Sequence, residues 1–346
     1  MSASAVPAGS SGRSRAGRSP TSAGSAGRTV RSRRRLQVVL GLIWLVDACL
    51  QFQPYMFTRD FVTRTVEPAA AGTPGWVARP SADAAHLMLA HIAVDNTLFA
   101  LTQVVIAAAI CHRPVVKVGL AVSFVWAVGI WWLAEGLGGV TTGVSPVAGA
   151  PGAAILYALL AVLLWPRSAP PTAAPGDLPA RARPVAGGSA GRRSVAERSP
   201  LGRLGSRAVW VVLWAVLALL AVQPANRVPS ALHDTLTALA DGEPRWVAAL
   251  DGHLAAAVAG RGTPVSIGLA VVLAAIALGV LHPATRRAAV VVAVLVATVI
   301  WVAEDFGGVL TGTGTDVNSG PLLALLAAAY WPLSIGHDGR EPSGRS

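Results

Sequence analysis

Few charged side chains of this chain fall inside apolar surroundings, and most that do are acids. Asp47, Asp95, Glu135, Glu304 and Asp305, with His91, lie within or at the ends of long apolar runs. A carboxylate in hydrocarbon costs roughly 2.5–3.5 kcal/mol at a helix centre on insertion scales, so it faces a protein interior with a partner or a wet cavity. His91 and Asp95 are four residues apart, on one face of a helix, and antiparallel threading brings Asp47 and Glu135 to a similar depth. The chemistry this permits is a proton or cation site, or a path for a polar solute. H-x-x-x-D supplies only two ligands, so no metal centre is assigned. A structural reading stands beside it, in which the glutamates hydrogen-bond to amides freed where a helix breaks.

The glutamates belong to a segment that occurs twice. WLAEGLGGVTTG begins at Trp132 and WVAEDFGGVLTG at Trp301, giving W-x-A-E-x-x-G-G-V-x-T-G. Gly138, Gly139, Gly143 and their counterparts Gly307, Gly308, Gly312 release the chain from helix, while Thr142 and Thr311 satisfy freed backbone groups. The runs that follow, VSPVAGAPG and TGTDVNSGP, are rich in turn residues. Non-helical backbone at membrane depth is tolerated only when buried in protein or lining a cavity, so these glutamates mark where a cavity begins. The glycines lack the strand, helix and lysine of a phosphate loop. No Ser/His/Asp or Cys/His catalytic pattern is present.

The elements that position these residues follow from composition. Of 346 residues 53% are hydrophobic and 13% charged, which argues against a soluble enzyme. Apolar runs near 36–53, 88–111, 115–134, 150–166, 207–223, 263–281, 287–303 and 319–335 approach the ~20 residues of a spanning helix. The net charge is +11, and Lys117 is the single lysine. With eight spans, 22 of the 28 basic residues fall on one side, in 1–35, 167–207, the two short loops and the C-terminal tail. The positive-inside rule makes that side cytoplasmic, with both termini, and this distribution in tails and loops disfavours nucleic acid as the partner. Arg33-Arg34-Arg35 before an apolar run, and VDAC at Cys49, resemble processing signals, but Asp47 fits a cleavage box poorly. Trp131, Trp132 and Trp301 at one interface and Trp165, Trp210 and Trp331 at the other read as an aromatic belt.

The two halves repeat. At an offset of 170, Trp44 matches Trp214, Gln53-Pro54 matches Gln223-Pro224, and Trp76-Val77 matches Trp246-Val247. An even number of spans per copy makes the repeat parallel. The expected fold is therefore an all-α integral membrane protein, with about eight transmembrane helices as two parallel four-helix repeats. Short amphipathic helices lie on the outer side between the first two spans of each copy, anchored by Trp76 and Trp246. The expected organisation is a disordered basic tail (1–35), a first repeat (36–166), a disordered Pro/Gly/Arg-rich linker (167–206), a second repeat (207–335) and a C-terminal tail (336–346).

The W-x-A-E-x-x-G-G-V-x-T-G segments, each leading to a Gly/Pro turn and a span ending Trp-Pro, resemble a family of internally duplicated multi-pass membrane proteins from high-GC actinobacteria. That resemblance carries no activity; the expected location is the plasma membrane. The four-span unit is also loosely similar to DoxX-type proteins, some of which serve as quinone-linked redox subunits. The functional expectation is a non-enzymatic, transporter-like or envelope-associated protein with an outward-facing polar cavity. The alternatives are a redox subunit binding a quinone or haem near His91 and Asp95, and a structural scaffold. No cofactor is otherwise expected. The expected partners are the lipid bilayer and another membrane protein.

Overall fold

The computed structural model describes residues 20–167, 193–240 and 243–333. Among these residues the chain is helical, with no strand. The main helices are α1 (Pro20–Leu50), α2 (Gly75–Cys111), α3 (Val116–Leu133), α4 (Ala153–Leu163), α5 (Gly202–Ala221), α6 (Ala231–Leu239), α7 (Arg245–Val258), α8 (Gly262–Gly279), α9 (Arg286–Ala303) and α10 (Ser319–Ala329). Five segments are long and apolar enough to cross a membrane: Gly75–Cys111, Arg113–Leu133, Gly202–Ala221, Gly262–Gly279 and Arg286–Ala303. Their Leu, Val and Ala side chains suit an apolar surround, and a helix satisfies its own backbone there. The apolar part of α1 is preceded by Arg31, Arg33, Arg34 and Arg35. α4 and α10 are apolar but have only 11 residues each.

Packing runs in two chains of neighbours. α1 lies on α2, α2 on α3 and α3 on α4; α5 lies on α8, α8 on α9 and α9 on α10. α4 and α10 touch each other and join the two sets through one continuous core. Gly41 sets the α1–α2 distance, since a Cβ there would stand 2.6 Å from the Cys111 sulfur. At the same end Arg34 donates to the Ile110 carbonyl at 2.8 Å and to that of Cys111, satisfying the last carbonyls of α2 with a cation at the negative end of its dipole. Gln37 does the same for α4, donating to the Leu164 carbonyl at 2.9 Å.

Several expectations are revised. Helix α1 begins at Pro20, inside the stretch assigned to a disordered tail. The segment around Trp76 is not a separate interfacial helix but the start of α2, which bends at His91, where φ is −138°. In the second half the aligned segment does separate, into α7 and α8, with the break at the residue aligned with His91, Arg261. Trp210 is fully buried beside Trp214 and Tyr330, so it belongs to the core and not to an interfacial belt. The expected disorder of 1–19, 168–192 and 334–346 lies outside the described residues.

The last part of the supposed linker, 193–206, is ordered because its polar groups find partners. Ser194 and Glu197 form a reciprocal capping box: the Ser194 amide donates to the Glu197 carboxylate at 3.1 Å, and the Glu197 amide donates to the Ser194 hydroxyl at 3.3 Å. The same carboxylate meets Arg286 at 3.0 Å, Arg207 at 3.3 Å and Arg203 at 3.8 Å. Burial alone would raise the Glu197 pKa; Arg286 foremost, then the Ser194 amide and Arg207, hold it below the ordinary carboxylate value. Arg198 next to it donates to the Thr29 hydroxyl, and its carbonyl accepts from Arg33 at 2.8 Å. A composition count misses this latch because one buried acid draws arginines from two helices, α5 and α9, that lie far apart in the chain.

Candidate functional site

Just past α3 the chain leaves helix at Glu135 and passes through Leu137, Gly138 and Gly139 with φ of 62°, 58° and 69°. This left-handed run turns the chain back until it presses on the start of α4. A Cβ on Gly138 would stand 1.8 Å from the Pro151 carbonyl oxygen, so only glycine fits. The turn delivers the Glu135 carboxylate to the N-terminus of α4, where it accepts from the Ala154 amide at 3.0 and 3.3 Å. A helix N-terminus offers unsatisfied amides and a positive dipole end, so a carboxylate is stabilised there. Trp131 donates its indole N–H to the Pro151 carbonyl at 2.8 Å and holds the same junction.

The matching segment after α9 has the same geometry. Phe306, Gly307 and Gly308 have φ of 56°, 76° and 63°. Glu304 reaches the start of α10, where it accepts from the Ser319 hydroxyl at 2.9 and 3.1 Å. Thr142 and Thr311 cap their own turns, donating to the carbonyls of Gly139 (3.2 Å) and Gly308 (2.7 Å). Gly143 and Gly312 close them with φ of 79° and 80°. Burial pushes Glu304, just past α9, up to about 8, and Glu135 shifts in the same direction.

Each broken segment is held by the other half of the chain. Gln51 and Gln53, at the end of α1, donate to the carbonyls of Thr315 (3.1 Å) and Gly314 (3.4 Å). Reciprocally, Asn226 donates to the Gly143 carbonyl at 2.9 Å, and Gln223 lies against Gly143. Asp47 is the deepest of these contacts. Buried in α1, it accepts from the Tyr157 hydroxyl of α4 and from the Val317 amide at 3.1 Å.

These elements enclose a cavity of about 1170 Å³ between α1, α2, α3 and α4, closed on one side by the 307–318 segment. Four carboxyl groups border it: Asp47, Asp95, Glu135 and Asp316. Among the described residues, no Lys, Arg or His lines it. Trp44, Phe61, Phe99, Trp126 and Tyr157 are among the lining, with the Trp44 and Tyr157 rings tilted against each other at 4.1 Å and Phe99 edge-on to Trp126 at 5.4 Å. Leu87, Val122 and Val125 both line the cavity and are exposed, so it opens to the helix surface on the α2–α3 side.

Asp47, Asp95 and Glu135 are thus brought together around one space, with Gly138, Gly139, Thr142 and Gly307 of the motif in its wall. His91 is not. It is exposed, because the bend at its own backbone breaks the face it would share with Asp95. Glu304 is buried beside Ser319 outside the lining, and the Asp305 side chain lies outside the described residues. Sequence reasoning missed Asp316, Tyr157, Gln51 and Gln103. The two glutamines carry a readable signal, an amide inside an apolar run; the other two enter through folding alone. Among the described residues no three His, Cys, Asp or Glu side chains lie close enough to hold a metal ion.

The fold and site together define a helical membrane protein built around an acid-lined, aromatic-walled cavity. The chain matches no protein-family model, and no curated protein or solved structure is detectably similar to it.

Proposed function

We propose that this protein is a transporter-like integral protein of the plasma membrane, whose outward-facing cavity admits a polar solute. The observation that carries the reading is the 1170 Å³ cavity bordered by Asp47, Asp95, Glu135 and Asp316. That volume lies just above the roughly 300–1,000 Å³ usual for small-molecule sites, and charged groups within membrane segments mark solute or ion paths. In this reading the chain makes eight passes as two parallel four-helix repeats, with both termini cytoplasmic. α1 and the short helices α4 and α10, each reached through a broken segment, complete the five long spans. The reciprocal Gln53 and Asn226 contacts and the matching turns at Leu137 and Phe306 support the duplication. So does the resemblance to duplicated actinobacterial membrane proteins.

The test is uptake into proteoliposomes of a labelled amine, a labelled sugar and a labelled carboxylic acid, against protein-free liposomes. Uptake of one class that is lost in Asp95→Asn is expected. Asp95 makes no protein hydrogen bond, so this variant keeps the fold. Absence of protein-dependent uptake for all three sinks the transport reading.

One observation favours a scaffold as the second reading. Glu135 and Glu304 each hold the start of a short helix, which is a structural task. A haem-binding redox subunit draws no support from the cavity, whose lining holds no histidine. A quinone there would be detected by the absorbance of the purified protein and its change on reduction.

A further inference from the structure

We propose that the cavity selects an organic ammonium ion, a protonated amine carrying an apolar or aromatic body. This rests on the reading of the cavity as a solute site and names the class of solute.

Three features of the wall point to that chemistry. The first is charge: among the described residues, four carboxyl groups and no cationic side chain border the space. An anion there would find no cationic partner, whereas an entering cation favours the ionised form of the carboxyl groups and so gains counter-charges. The second is a shortage of donors. Gln51 and Gln103 line the cavity at 7% and 8% exposure, and the side-chain carbonyl oxygen of each has no hydrogen-bond partner. The Gln51 amide nitrogen is already committed to the Thr315 carbonyl, which fixes its oxygen as an acceptor in want of a donor. A buried polar atom left unpaired is costly, and an N–H of an ammonium group supplies what both oxygens lack. The third is the aromatic share of the wall. Trp44, Trp126 and Phe99 line the space, and aromatic rings attract a cation through the ring quadrupole and take up an apolar body equally well.

Size and ligand spacing separate this from an inorganic cation. A cavity of about 1170 Å³ exceeds what a bare ion fills, and the described residues form no metal-binding group. The opening beside Leu87 and Val125 is apolar, which suits a ligand whose body partitions into the bilayer before its charged end reaches Asp95.

The experiment is calorimetric titration of the full-length protein in detergent at neutral pH with 2-phenylethylammonium, the matched alcohol 2-phenylethanol, and 3-phenylpropanoate. The ammonium should bind roughly tenfold or more tightly than the alcohol, and the carboxylate should not bind. Asp95→Asn and Gln103→Leu should each weaken the ammonium about tenfold while leaving alcohol binding and the melting temperature unchanged. Equal binding of ammonium and alcohol, or an unaltered ammonium affinity in both variants, overturns the proposal. The two readings fail separately. Ammonium binding without proteoliposome uptake removes transport and leaves the selectivity; uptake confined to the sugar or the acid leaves transport and removes the selectivity.

Discussion

Gly138 shows how much a single residue carries here. Its φ of 58° is costly for any side chain, and its missing Cβ makes room for the Pro151 carbonyl. Gly138→Ala should therefore lower stability by at least ~2 kcal/mol, combining left-handed strain with a clash against backbone that cannot move aside. Gly129 is the matched control. It lies inside α3, and a Cβ there would meet nothing within 4 Å, so Gly129→Ala should be neutral or stabilise by up to ~1 kcal/mol. Thermal unfolding of the two variants in the same detergent tests the pair, and equal melting temperatures would contradict it. The same glycine-dependent turn brings Glu135 to the α4 amides, so loss of the turn also moves one of the four acids of the cavity.

At the scale of elements, the Glu197 latch joins parts that no local rule connects. Glu197, in a three-residue turn, ties α5 through Arg207 to α9 through Arg286, while Arg198 holds α1. Removing one partner of a buried charge group costs about 3–5 kcal/mol because the remaining charges stay buried unpaired. Glu197→Gln should fall in or just below that range, since the amide keeps an acceptor for Arg286. The pH dependence has a definite sign. The folded pKa of Glu197 lies below the unfolded value, so its stabilisation is complete above the ordinary carboxylate pKa and is lost as pH falls through the lower folded value. Melting temperature followed from neutral into the acid range should drop less steeply in Glu197→Gln than in the parent. Parallel profiles would remove Glu197 from the account.

For the whole molecule, the two halves carry matching turns but contribute unequally to the cavity. The turns, the glutamates and the capping threonines recur, yet Leu217 occupies the place of Asp47, and Arg261 and Val265 those of His91 and Asp95. Leu217 is fully buried, so the second half closes with packing where the first opens into a polar space. The proposed topology places the α8–α9 loop in the cytoplasm and α6 outside. Cys49 and Cys111 are both free and can be replaced before labelling. In that background Ala284→Cys, in the exposed basic loop, should react with a membrane-impermeant maleimide only in inverted vesicles, and Thr237→Cys only in intact cells. The opposite pattern would reverse the orientation.

Much of this was legible in the chain alone. Apolar runs of helical length, arginine concentrated in tails, linker and short loops, and the doubled W-x-A-E-x-x-G-G-V-x-T-G segment are one-dimensional signals. They specify a helical membrane protein, where its helices break and which acids stand at the breaks. What they leave open is decided by contacts between distant residues. His91 left the site because a backbone bend rotated it away, and Asp316 joined because the second half's broken segment folds over the first half's cavity. Glu197 became a buried hub because arginines far apart in sequence converge on it. Periodicity reports which face of one helix is apolar; which charges share a low-dielectric space depends on how the helices pack, and only the tertiary structure contains that.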